Sequence, residues 1–127
     1  MTGPAICATG PQRRILLATK APLLRQTRKE VLISFGYHVS APIGEIDVLT
    51  SIQSEHFDVL VLGDTLDPDN KRRFATKYRN RQPDGRVVEI VVAFGYTAFG
   101  NPDAAVVGLD GPLALQRAIE EQLRFTS

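Results

Sequence analysis

Tryptophan is absent from this 127-residue chain, and cysteine and methionine occur once each. A lone cysteine, Cys7, excludes an intramolecular disulfide framework and a cysteine-built zinc cage, and it fits a reducing compartment. No apolar run approaches the roughly 20 residues that cross a bilayer. The first ten residues also lack a basic region leading into a long apolar stretch, so a cytoplasmic protein is expected. A charge excess is missing too. Fifteen basic and 14 acidic side chains give a net charge of +1, so no whole-molecule field draws the chain toward nucleic acid or anionic lipid, and neither is an expected partner.

What is present is a soluble globular composition, 43% hydrophobic and 23% charged, in a chain long enough to bury a core without disulfides or metals. Residues 1–12, rich in small residues and proline, read as a flexible tail, and residues 13–127 as one domain. Arg13 to Thr19 (RRILLAT) reads as a strand buried on both faces. Pro22 suits a first helical turn, and Leu24, Thr27, Val31 and Phe35 recur at helical spacing up to a stop at Gly36. Tyr37 to Ala41 is a second, weaker strand, and Ile46, Leu49 and Ile52 mark a helix ending near His56.

Phe57 to Leu62 (FDVLVL) is the strongest strand signal and belongs in the middle of the sheet. In the loop GDTLDPDN, Asp67 before Pro68 reads as a helix N-cap, with a basic helix running from Pro68 to Arg81. Val87 to Phe94 and Ala104 to Leu109 give strands four and five. Leu115, Ile119 and Leu123, four apart, give a final amphipathic helix. Five strands alternating with helices predict an α/β fold, a doubly wound parallel sheet in the flavodoxin-like order 2-1-3-4-5. Only about ten residues separate Phe94 from Ala105, too few for an average helix and its two loops, so the fourth helix is expected to be shortened or missing.

The segments RRILLATKAPLLR, FDVLVLGDTLDP and VVGLDGPLALQRAIEEQL, in that order and spacing, resemble a response-regulator receiver domain along nearly the whole chain. The resemblance lies in the order of elements more than in signature residues. In that family two acidic residues ending strand 1 hold Mg²⁺, an Asp ending strand 3 accepts a phosphoryl group, a Ser or Thr ends strand 4 and a Lys ends strand 5. The carboxylates bind the hard cation, the metal and Lys neutralise the phosphoryl oxygens, and the hydroxyl reads the modified state. On this sequence the acidic pair falls on Thr19 and Lys20, and the acceptor position on Gly63, with Asp64 one residue later. Because side chains alternate along a strand, Asp64 is expected to point away from the acceptor's direction. Ala93 or Phe94 stands at the end of strand 4, with Thr97 a few residues on, and Asp110 or a neighbour replaces the Lys.

The resemblance therefore implies a degenerate receiver, a non-enzymatic module of two-component or phosphorelay signalling that holds no cofactor. It would bind another signalling protein or a second copy of itself. The candidate surface is the basic run Lys71, Arg72, Arg73, Lys77, Arg79 and Arg81, together with an aromatic loop carrying Tyr96 and Phe99. A solvated helix face explains the basic run equally well if Phe74 and Tyr78 are buried. Two other readings stand beside this one. In the first, Asp64 accepts a phosphoryl group with Mg²⁺ and help from Asp67 or Asp69. Against a cation there, Asp67 and Asp69 also read as a helix cap and a first-turn acid. In the second, the chain is a small flavodoxin-like protein binding an anion or other ligand near Thr19, Lys20, Gly63 and Asp110, with Lys20 as the anion contact. GYTAFG is no phosphate loop, since Asn101 and Pro102 follow it, and His38 and His56 have no evident nucleophile beside them.

Overall fold

The computed structural model describes residues 12–92 and 98–124. Its elements in chain order are β1 (Arg14–Ala18), α1 (Pro22–Ser34), β2 (His38–Ser40), α2 (Glu45–Ser54), β3 (Val59–Leu62), α3 (Pro68–Arg81), β4 (Arg86–Val91), β5 (Ala104–Val107) and α4 (Pro112–Arg124). A single 3₁₀ turn, Gly108–Asp110, links β5 to α4. The five strands form one parallel sheet in the order β2-β1-β3-β4-β5, as the alternation of strands and helices predicts. Residues 1–11 of the expected tail, with Cys7, and the end of the expected fourth strand, with Ala93 and Phe94, lie outside the described residues.

Side-chain alternation on the central strands divides the core in two. Ile15, Leu17, Val59, Val61, Val88 and Ile90 face one way and pack with Leu32 of α1 and Leu115, Ile119 and Leu123 of α4. Leu16, Ala18, Leu60, Leu62 and Val87 face the other way, toward Val48 and Ile52 of α2 and Phe74 and Tyr78 of α3. All four residues of β3 are buried, as a middle strand between two helical layers requires.

Local chemistry fixes the element ends. Asp67 accepts a hydrogen bond from Asn70 N at 2.8 Å and Pro68 follows it, so α3 starts where a cap with proline at N1 directs. Gly36 closes α1 at a φ of 99°, a left-handed conformation that costs glycine nothing. Gln82, just past α3, acts as a surrogate strand for Phe57. Its Oε1 accepts from Phe57 N at 2.8 Å and its Nε2 donates to Phe57 O at 2.7 Å. The Tyr78 hydroxyl donates to the same carbonyl at 2.7 Å.

Between β4 and β5 no helix occurs among the described residues. The returning chain is held instead by Glu89, fully buried on β4. Its carboxylate accepts from Gly100 N at 2.7 Å and from Phe99 N at 3.0 Å. It also takes a 3.0 Å ion pair from Lys71 of α3, whose Nζ donates to Ile90 O as well. Lys71 is therefore no part of an exposed basic face. It is 5% exposed because it shares the inward stripe of α3 with Phe74, Ala75 and Tyr78, at spacings of three, four and seven.

Removing one member of a buried pair strands the other charge. Glu89→Leu should therefore lower unfolding free energy in urea by about 3–5 kcal/mol. Lys71→Met/Glu89→Leu should lose less, since no orphan charge remains. An equal or greater loss in the double variant would contradict this account. Burial, reinforced by a hydrogen bond to Glu120 and that group's charge, holds the Tyr37 hydroxyl well above its ordinary 10.0. Burial, with the charge of Asp58, does the same for Tyr78. A phenol whose folded value lies above its unfolded one contributes stability in full below the unfolded value and loses it as pH rises beyond. Urea stability should thus hold up to about pH 9 and fall as pH rises beyond about 10, less steeply in Tyr37→Phe.

Candidate functional site

In an open parallel sheet the natural site is the crevice beyond the carboxyl ends of the strands, where their order reverses. Here that point lies between β1 and β3. Gly63 N donates to Ala18 O at 2.7 Å, which draws the two strand ends together. Next to this contact, Thr19 is buried and its Oγ1 shares a 2.8 Å hydrogen bond with Thr65 Oγ1. The Thr65 hydroxyl also accepts from Lys20 N at 2.9 Å and Ala21 N at 3.3 Å. It thereby covers two amides ahead of α1, whose own N-cap residue supplies no side-chain cap. A hydroxyl pair and backbone amides occupy this crevice.

Gly63 is placed by contact. A Cβ there would stand 2.5 Å from Thr19 Oγ1 and 2.6 Å from Thr19 Cβ. Asp64 turns toward α1 instead, and its Oδ1 accepts from Arg28 Nη1 at 3.0 Å. Both side chains are largely buried. The remaining acids of the loop are dispersed: Asp67 caps α3 and Asp69 pairs with Arg72 at 2.9 Å. Among the described residues no three His, Cys, Asp or Glu side chains are grouped so as to hold a metal ion.

Thr19 and Lys20 line a groove of about 440 Å³ together with Arg25, Gly44, Asp67 and Phe74. Asp110 is not part of it. That residue sits exposed in the turn after β5, beside a separate groove with Ala114, Arg117 and Glu121. The four expected pocket positions are thus three neighbours and one outlier.

Much of the basic helix is neutralised within the fold. Arg79 is half-buried, donates to Gly100 O at 3.1 Å and pairs with Asp103 at 3.3 Å. Arg73 pairs with Glu45 of α2, and Arg81 donates to Gln53 O at 3.1 Å. Arg72 both pairs with Asp69 and lies over the Phe99 ring, 5.2 Å from its centroid. Lys77 stays exposed. The expected basic and aromatic elements therefore do meet, in a groove of about 450 Å³ lined by Arg72, Thr76, Arg79, Phe99, Gly100 and Asn101. Tyr96 and Thr97 lie outside the described residues.

Thr65, Arg28 and Glu89 hold these contacts, and motif reading passes over all three. Only Glu89 carried a signal, since a lone charge inside VVEIVV needs a buried partner.

No model of a known protein family matches the sequence, and no curated protein matches it. Solved structures do match. A response-regulator receiver domain protein from Methanospirillum hungatei superposes with a TM-score of 0.77 at 20% identity, covering 91% of this chain and 97% of that one. A response-regulator receiver protein from Sinorhizobium medicae gives 0.78 at 20% identity, covering 91% and 98%. The response regulator TrrA from Thermotoga maritima, in complex with Mg²⁺ and beryllofluoride, gives 0.75 at 19% identity, covering 87% and 99%. At these identities the likeness is one of fold, and the fold is the receiver's.

The Gly63–Thr19 contact is directly testable. Gly63→Ala should cost about 1–3 kcal/mol by overpacking. Thr19→Gly/Gly63→Ala should cost less than the sum of its single variants in a urea double-mutant cycle. Additive losses would show that the two positions do not meet.

Proposed function

We propose that this chain is a signalling module with the receiver fold that acts by binding another signalling protein, or a second copy of itself, without accepting a phosphoryl group. The observation that carries this reading is what occupies the strand ends. At the positions that the resemblance assigns to the metal-binding carboxylates stand a buried hydroxyl, Thr19, and an exposed cation, Lys20. The acceptor position is Gly63, whose missing side chain leaves the space that Thr19 fills. These residues do not fit Mg²⁺, because a hard dication needs oxygen anions where this chain offers hydroxyls and an ammonium group. Asp64 has the right chemistry for an acceptor but is committed to Arg28 on the α1 side.

In this reading the module catalyses nothing and presents a surface instead. The groove between α3 and residues 99–101 lies on the side of the sheet where receivers carry the helix between strands 4 and 5. It offers the stacked Arg72 and Phe99, with Lys77 exposed on the same helix. An aromatic ring under a guanidinium suits a partner that brings both apolar contact and negative charge.

Addition of Mg²⁺ and then beryllofluoride to the isotopically labelled protein tests the chemistry. Amides of Gly63, Asp64 and Thr65 should keep their NMR positions, and those of Asp64→Asn should behave alike. Saturable shifts at these amides that vanish in Asp64→Asn would replace this reading with that of a phosphorylatable receiver using Asp64.

A further inference from the structure

Helix α1 does not seat its apolar stripe fully. Leu24 is 37% exposed and Val31 half-buried, although their spacing suits a helix packed against the sheet. Between this stripe and α4 lies a cavity of about 190 Å³, walled by Leu24, Val31, Ile90, Val106, Pro112 and Leu115. An apolar cavity of about 150 Å³ stays dry and accepts a benzene ring. This space is of that order, large enough for one ring or a short branched chain.

Arg28 also lines the cavity. Its side chain is 15% exposed and its Nη1 donates to Asp64. No other acceptor meets its side chain among the described residues. A guanidinium has five N–H donors in a planar fork, so most of this fork is unspent. Gly108, another lining residue, keeps the approach clear. A Cβ there would stand 3.0 Å from Asp64 Oδ2, 3.4 Å from Ile90 Cγ2 and 3.6 Å from Arg28 Nη2.

We propose that this cavity is a binding site for a compact apolar acid, an aryl or branched-alkyl carboxylate. The hydrocarbon fills the space between α1 and α4, and the carboxylate takes the open edge of the Arg28 fork. The walls supply apolar contact, and the single cation selects the charged end. Asp64 sets the affinity, because it already holds one edge of the guanidinium and repels a second carboxylate. The site is separate from the groove that Thr19 and Lys20 line.

Benzoate, benzyl alcohol and acetate, each titrated to about 10 mM against the labelled full chain by NMR, separate the contributions. Benzoate should shift the amides of Thr27, Val31 and Gly108 saturably, and acetate should not. Benzoate should also bind more tightly than benzyl alcohol. Arg28→Met should weaken benzoate by about tenfold or more and leave benzyl alcohol unchanged, whereas Asp64→Asn should tighten benzoate. Thr27→Phe, at an exposed position of the lining, should block binding while the melting temperature is kept. No shift at these amides would overturn the proposal. So would equal affinity for benzoate and benzyl alcohol, which means an apolar void only, or benzoate binding indifferent to Arg28→Met.

Discussion

The carboxylate of Glu89 holds together the edge of the sheet on which the distinctive surface of this protein depends. One buried group collects the ammonium of Lys71 from α3 and the amides of Phe99 and Gly100 from the returning chain. Burying two charges is costly, and their attraction offsets that cost only when the remaining lone pairs and protons are also satisfied. Here they are: Lys71 has a second acceptor in Ile90 O, and Glu89 has two amide donors. The pair is thus less a contributor to net stability than a device of register. It sets where residues 99–103 lie against α3, and with them Arg79 against Gly100 O and Asp103. The Arg72–Phe99 stack follows from that placement.

The architecture was legible in the sequence because it depends on period and punctuation. Pro68 to Arg81 is helical from first residue to last, since an aspartate cap with a following proline marks one end and PDG breaks the other. Strand ends were less sharp. The expected second strand, Tyr37 to Ala41, keeps only His38–Ser40, because pairing with β1 alone decides how much of an edge strand forms. Lys71 was the residue most misplaced by composition. Grouped with its basic neighbours it looks solvated, yet its phase on the helix is that of Phe74, Ala75 and Tyr78, and period outranks charge once a counter-ion is available on the sheet.

The strand ends were legible by position and not by contact. Counting along the chain places Thr19, Lys20 and Gly63 where a receiver keeps its chemistry, and the fold brings these three together. Nothing in the sequence tells that Thr65 bridges back to Thr19 and Lys20 or that Arg28 takes Asp64. Both contacts join residues more than 30 positions apart, and each needs the three-dimensional path of α1 to be visible. The same limit explains Asp110, which belongs with the other three by analogy of position but sits beyond a 3₁₀ turn that carries it out to solvent.

The approach of Thr19 to Gly63 also bears on the history open to such a chain. The space that a side chain at position 63 would need is filled by Thr19, so the two sites are not independent characters. An acidic side chain arising at 63 would appear in a background already hostile to it, and an acid at 19 would gain nothing while 63 stays bare. Each single step is penalised before the second can be rewarded, so the bare position 63 is held in place by its dependence on position 19. A lineage with this packing diversifies more readily at its surfaces than at this pair of positions.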